Sequence, residues 1–116
     1  MCETFTLTLH RGENMMLIQT AADYIYEEIG DAEKYIRAAI KLHETDKEFA
    51  DCLYKLSGEE LGHADRLHEQ VTRLIRTYKD EKGVPPALMM QLYEREHARI
   101  IDRTAEVKRL QELYRK

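Results

Sequence analysis

Seven apolar side chains between residues 18 and 39 recur at spacings of three and four, as they do along one face of an α-helix. They are Ile18, Ala22, Ile25, Ile29, Ala32, Ile36 and Ala39. This stretch holds no proline and a single glycine, so nothing in it ends a long helix. We therefore expect a first helix over about residues 14–42, with Asn14 or Thr20 as its N-cap.

Two further helices are expected after it. Thr45 and Glu48 have the spacing of a capping box, which predicts a second helix that opens there and continues to about Lys79. Its predicted stripe is Phe49, Leu53, Leu56, Glu60, His63, Leu67, Val71 and Leu74. Pro85 and Pro86 suit the first turn of a third helix that ends near Tyr114. The face expected for that helix is Met90, Tyr93, His97, Ile100, Thr104, Val107 and Tyr114. The sequence thus predicts an all-α fold of three helices, up-down-up.

The length of 116 residues is enough for one hydrophobic core, which predicts a single domain over residues 14–116. Residues 1–13 are expected to be an N-terminal extension. Residues 4–9 alternate polar and apolar like a strand, but no second strand is predicted to pair with them. One explanation is an adventitious extension before a native start at Met15 or Met16.

Composition restricts the location and the partners. No run of about 18 apolar residues is present, and no secretory signal is evident, so neither a membrane span nor export is expected. Cys2 and Cys52 have no metal-ligand spacing and fit a reducing cytoplasm, with Cys52 expected in the core. The net charge is -4, and residues 1–78 carry 9 basic and 15 acidic side chains. This acidic balance argues against nucleic acid as a partner.

Three residues on the first two helices form a candidate metal site. Glu60 and His63 are three apart and therefore project from one face of a helix. A chain that turns back near Asp46 places Glu28 at the height of this pair, because helix rise is uniform. A Glu facing a Glu-x-x-His pair is half of a carboxylate-bridged two-metal centre. Iron is the expected metal, with manganese or zinc as alternatives; the other reading is a Glu–His pair that only specifies packing.

One such hairpin supplies two of the four carboxylates and one of the two imidazoles that a complete centre needs. Two copies related by a twofold axis would supply the full set, so the metal site predicts a homodimer that completes a four-helix bundle. The third helix contains a second pair, Glu94 and His97, as lower-ranked candidate ligands. Counting back from the turn near residue 82 places this pair level with His68 and Glu69, about 12 Å from the site along the axis.

The segment from Glu59 to Ala64 resembles the E-x-x-H-A signature of the ferritin-like superfamily, especially its rubrerythrin-type branch. Glu28 with Ala32 and Tyr35 is similar to the first helix of that branch, and the resemblance covers residues 16–78. It implies a di-iron centre in Glu28, Glu60 and His63 that oxidises Fe(II) or reduces O2 or peroxide. Half-bundle relatives resembling encapsulated ferritins build this centre between two chains.

The chain also departs from that family. It has no second complete hairpin and no CxxC pair for a rubredoxin-like domain, so a built-in electron donor is not expected. A second hypothesis belongs to another class: a metal-free helical assembly or adaptor protein that uses the hairpin only for oligomerisation.

Overall fold

The computed structural model describes the backbone of residues 2–116 and the side chains of residues 13–116. Its elements are α1 (Cys2–Leu42), α2 (Lys47–Lys82) and α3 (Ala87–Arg115), and the described residues include no strand. The three helices run up, down and up, since Tyr114 at the end of α3 contacts Asp51 at the start of α2. The predicted all-α architecture is therefore confirmed.

The apolar stripe of α1 is confirmed, whereas the predicted start of the helix is wrong. All seven stripe residues are buried, from Ile18 at one end to Ala39 at the other. The helix begins at Cys2 instead of near Asn14, so residues 4–9 do not form a strand. A helix satisfies backbone N–H and C=O groups within its own segment, which an isolated strand cannot do. The boundary between extension and domain stays a prediction.

The turn between α1 and α2 lies where the sequence predicts it, but a different residue caps α2. The N-cap is Asp46, with an extended backbone (φ -154°, ψ 98°), and its carboxylate accepts a hydrogen bond from the backbone N–H of Phe49 at 3.0 Å. Thr45 lies in the turn, where its N–H donates to the carbonyl of Leu42. Asp and Thr are both good caps, and the one with extended backbone takes the role.

The buried face of α2 is rotated from the predicted one. Its buried residues are Ala50, Leu53, Ser57, Leu61, Ala64, Val71, Ile75 and Tyr78. Of the predicted stripe only Leu53 and Val71 are buried, while Phe49 is exposed. Small residues such as Ala50 and Ser57 let the neighbouring helices approach closely, and their size hid them from a search for large apolar side chains. Cys52, expected in the core, is also exposed.

Helix α3 follows a turn at Gly83, whose φ of 89° favours glycine. It packs more extensively against α1 than against α2. On α1 the ring of Tyr26 lies beneath two guanidinium groups, those of Arg99 at 5.2 Å and Arg103 at 5.7 Å. On α2, Tyr54 stacks on Tyr114 with centroids 4.9 Å apart. These contacts fix which side of the α1–α2 hairpin is covered.

A buried hydrogen-bond chain joins all three helices at Ser57. Its hydroxyl donates to the carbonyl of Ala32 on α1 at 2.7 Å and accepts from the amide of Gln111 on α3 at 3.0 Å. Ser57 has no exposed surface. Its removal takes one hydrogen bond from the Ala32 carbonyl and one from the Gln111 amide.

We expect Ser57→Ala to lower the free energy of unfolding by about 1–2 kcal/mol, the cost of these unmade hydrogen bonds. Equilibrium urea unfolding measures the change. Thr20→Ala removes a hydroxyl from an exposed position of α1 and should alter stability by less than about 0.5 kcal/mol. Equal effects of the two substitutions would mean that the Ser57 chain contributes nothing specific.

None of the described helices contains a stretch both long enough and apolar enough to cross a membrane.

Candidate metal centre

The structure brings the three predicted ligand residues together. Glu28 lies in the middle of α1, and Glu60 and His63 lie on successive turns of α2 opposite it. The Nδ1 atom of His63 is 3.5 Å from Oε2 of Glu28 and 3.7 Å from Oε2 of Glu60. One donor atom from each residue falls in a group whose members all lie within 4.8 Å of one another.

These separations suit a metal ion. Two donors on adjacent positions of an ion with bonds of about 2.1 Å lie roughly 3 Å apart, slightly closer than the distances here. The donor set of two carboxylates and one imidazole is of the kind that iron and manganese bind. Small side-chain rotations would therefore bring the donors onto one ion. Their role as ligands stays a prediction.

The group lies on the side of the hairpin that α3 leaves uncovered. Contacts to α3 come from the opposite side, through residues such as Tyr26 and Ser57. We call the uncovered side the open face. It consists of Leu17, Tyr24, Glu28 and Tyr35 on α1 and of Phe49, Leu56, Glu60, His63, Leu67 and Leu74 on α2.

In one chain the candidate ligands are therefore partly exposed. The exposed fraction of the side chain is 28% for Glu28, 18% for Glu60 and 48% for His63. They lie outside the core of the single chain, because the core of α2 is centred on the Ser57 side. They lie on the open face, beside the half-buried Leu56 and Leu67.

Two acidic side chains of this group, Glu28 and Glu60, lie next to each other. The pKa of Glu60 is raised above its ordinary value, first by a hydrogen bond with the Glu28 carboxyl group, then by burial and by the Glu28 charge. The positive charge of His63 acts in the opposite direction. The folded chain thus favours a proton, or another cation, beside Glu60.

We expect Glu60→Gln to raise the stability of the metal-free protein at neutral pH. A carboxyl group whose pKa is higher in the folded than in the unfolded state opposes folding once pH exceeds the unfolded value. This gain in stability should disappear as pH falls below the ordinary pKa range of Glu, because Glu60 is then protonated in both the folded and the unfolded state. Thermal unfolding in a chelator at pH 7 and pH 3 measures it. The control is Glu59→Gln at the exposed neighbouring position; an equal gain there would refute the explanation.

The second predicted pair, Glu94 and His97, is not part of this group. Glu94 is exposed. His97 is half-buried and packs against His68 on α2, with ring centroids 5.0 Å apart, and against Tyr93 at 5.2 Å. The height predicted for His97, level with His68, agrees with this contact. The pair does not complete the Glu28–Glu60–His63 group within one chain.

Two polar residues near His97 were not singled out from the sequence. Glu96 is buried, and His68 is half-buried between α2 and α3. Burial, and then the charge of His97, lower the pKa of His68. The spacing of His68 from Ala64, Val71 and Ile75 could have revealed it, since all four share one helical face.

Comparison with protein-family models, curated proteins and solved structures finds no match for this chain.

Proposed function

We propose that this protein is a ferritin-like homodimer that holds a dinuclear iron centre and oxidises Fe(II) with O2 or peroxide, in a reducing cytoplasm. The observation that carries the proposal is the convergence of Glu28, Glu60 and His63, with donor atoms within 4.8 Å, on a face that a second chain can cover. The resemblance of residues 16–78 to rubrerythrin-type hairpins supports the same conclusion. Manganese and zinc are the alternative metals.

The open face supports a dimer as the functional unit. Leu17, Tyr24 and Phe49 are exposed large hydrophobic residues, and all three lie on this face. The half-buried Leu56 and Leu67 flank Glu60 and His63 on α2. Exposed apolar surface of this kind favours association. A twofold axis through it would pair the two half-sites, giving four carboxylates and two imidazoles.

Each residue has a role in this arrangement. Glu60 neighbours both His63 and the Glu28 carboxyl group, and we assign it the role of bridging two ions. Glu28 and His63 would each complete the coordination of one ion. Because the pKa of Glu60 is raised, protons compete with a cation there more strongly than at an ordinary Glu, so binding weakens as pH falls.

Two ferrous ions held together supply the two electrons that reduce one O2 to H2O2, or one H2O2 to two waters, with uptake of two protons in either case. The protein's residues bind the ions, orient them and exclude other ligands. The two cysteines do not form a CxxC pair, so an external electron donor is needed for any second turnover.

Ferrous-iron oxidation tests the proposal. Anaerobic protein is given two Fe(II) per dimer and then O2, and ferric formation and O2 consumption are followed together. We expect about two irons oxidised per O2, much faster than in buffer. Glu28→Ala should abolish the acceleration, whereas Glu27→Ala, at the neighbouring exposed position, should retain it. Rates equal to buffer for the unmodified chain would favour the metal-free adaptor instead.

A further inference from the structure

Two imidazoles meet between α2 and α3, on the side of the hairpin that α3 covers. The rings of His68 and His97 have centroids 5.0 Å apart at an interplanar angle of 61°, and Tyr93 lies beside His97 with centroids 5.2 Å apart. Both imidazoles are half-buried. Neither belongs to the candidate metal group on the open face, so the proposed function leaves this contact between α2 and α3 without a role.

The inner edge of His68 lies in apolar surroundings. A cavity of about 10 Å³ beside it is lined on α1 by Ile18, Ala22 and Ile25, none of which carries a polar side chain. Nε2 of His68 is buried and has no hydrogen-bond partner in the described part of the chain. A neutral imidazole is tolerated there far better than a charged one, because burying a charge without a partner is costly.

The acidic groups of α2 do not compensate for this burial. Asp65 and Glu69, both exposed, favour a positive charge on His68, whereas a charge on His97 opposes it. Burial, and then the His97 charge, outweigh the two carboxylates and hold the pKa of His68 below its ordinary value. The unfolded chain therefore takes up a proton at His68 more readily than the folded chain does.

The charged groups of α3 leave His68 without an acceptor. Glu96 lines the same cavity, but Oε1 of its carboxylate accepts hydrogen bonds from Arg95 at 3.2 and 3.3 Å, and the Tyr26 hydroxyl also bonds to Glu96. Its buried Oε2 has no hydrogen-bond partner among the described residues, and so none in either ring. Lys108, at the outer side of the two imidazoles, has the same sign as an imidazolium.

From these observations we propose that His68 and His97 form a pH-sensitive switch, in which protonation of His68 loosens α3 from the α1–α2 hairpin. The attachment of α3 is the weaker part of the fold, since α1 and α2 pack against each other more extensively than either packs against α3. A groove of about 330 Å³ between α2 and α3 is lined by both histidines. A charged ring gains water and distance from the other imidazole by moving into this groove, which separates α3 from α2.

The sign of the effect follows from proton uptake. A group whose pKa is lower in the folded than in the unfolded state contributes stability above its unfolded value and loses that contribution as pH falls. For His68 the loss begins near the ordinary His pKa of about 6.5. The switch therefore keeps α3 docked at neutral pH and releases it in mild acid.

Hydrogen exchange of backbone amides at pH 7.5 and pH 5.5, in a chelator, tests the switch. After correction for intrinsic exchange rates, we expect protection in α3 to fall by roughly threefold or more at pH 5.5, with a smaller change in α1 and α2. His68→Phe cannot take up a proton and should remove the pH dependence of α3. The matched control is His43→Phe, which alters a half-buried histidine at the end of α1 and should retain it.

His68→Gln provides the same comparison with a polar side chain, should the phenyl ring disturb the fold as judged by far-UV circular dichroism at pH 7.5. The switch is ruled out if α3 protection in the unmodified chain is equal at the two pH values, or if its pH dependence survives in both His68 variants. An equal loss in all three helices would show global destabilisation instead. Stronger protection at pH 5.5 would mean that protonated His68 pairs with Glu96, which also overturns the proposal. None of these outcomes depends on the proposed iron centre, because the chelator keeps it empty.

Discussion

Replacing Glu60 by alanine is expected to lower bound iron from about one ion per chain to less than about a tenth, when the protein is loaded with Fe(II) and passed through a desalting column. The bridging carboxylate contributes to both ions of the proposed centre, so its loss weakens both at once. What remains, Glu28 and His63, is one carboxylate and one imidazole per chain, too few donors for tight binding. Elemental analysis of the eluted protein measures the content.

The matched control for this experiment is Glu59→Ala. Glu59 is the adjacent residue of α2 and is exposed. Glu59→Ala changes net charge and helix propensity in the same way as Glu60→Ala does. Glu59 itself lies outside the group of candidate ligands. Loss of iron in both variants, or in neither, would count against a specific centre at Glu60.

The second large effect is expected from Tyr24→Lys, which should turn a dimer into a monomer. Tyr24 lies on the open face one helical turn from Glu28, and 53% of its surface is exposed in the single chain. A lysine there leaves the monomer intact but, by symmetry, buries two charges in the dimer. We expect the dimer dissociation constant to rise by about 100-fold or more. Native mass spectrometry over a dilution series measures it.

Metal content should fall together with dimerisation in Tyr24→Lys, because in the proposed centre each chain contributes half of the ligands. Ile101→Lys is the control. Ile101 lies on α3 outside the open face, and its exposed fraction of 55% nearly equals that of Tyr24. If Tyr24→Lys remains a dimer, or if Ile101→Lys dissociates equally, the open face is not the interface.

Much of the fold follows from helical periodicity and turn chemistry. The stripe from Ile18 to Ala39 is buried as expected because its apolar residues recur at spacings of three and four. The position of Glu28 opposite Glu60 and His63 also follows from the sequence, since uniform helix rise and the turn at Asp46 fix the height of each residue. The position of His97 level with His68 along the helix axis follows from the same uniform rise.

The rotation of α2 could not be read from the sequence. Its apolar residues form two adjoining faces, one through Ser57 and Leu61 and the other through Leu56 and Leu67. Periodicity alone does not say which face meets α1 and α3 in the same chain. Apart from Leu53 and Val71, the predicted stripe lies on the open face. The buried face is decided by the side on which α3 packs, through long-range contacts such as that of Ser57 with Gln111. Cys52, expected in the core, is exposed for the same reason.

Anomalous X-ray diffraction at the iron absorption edge, from crystals of the iron-loaded protein, tests the central claim most directly. We predict two peaks per dimer, related by a twofold axis, each within about 2.2 Å of a carboxylate oxygen of Glu60 and of a nitrogen of His63. Peaks elsewhere, or none, with Glu28, Glu60 and His63 facing solvent in the crystal, would contradict it.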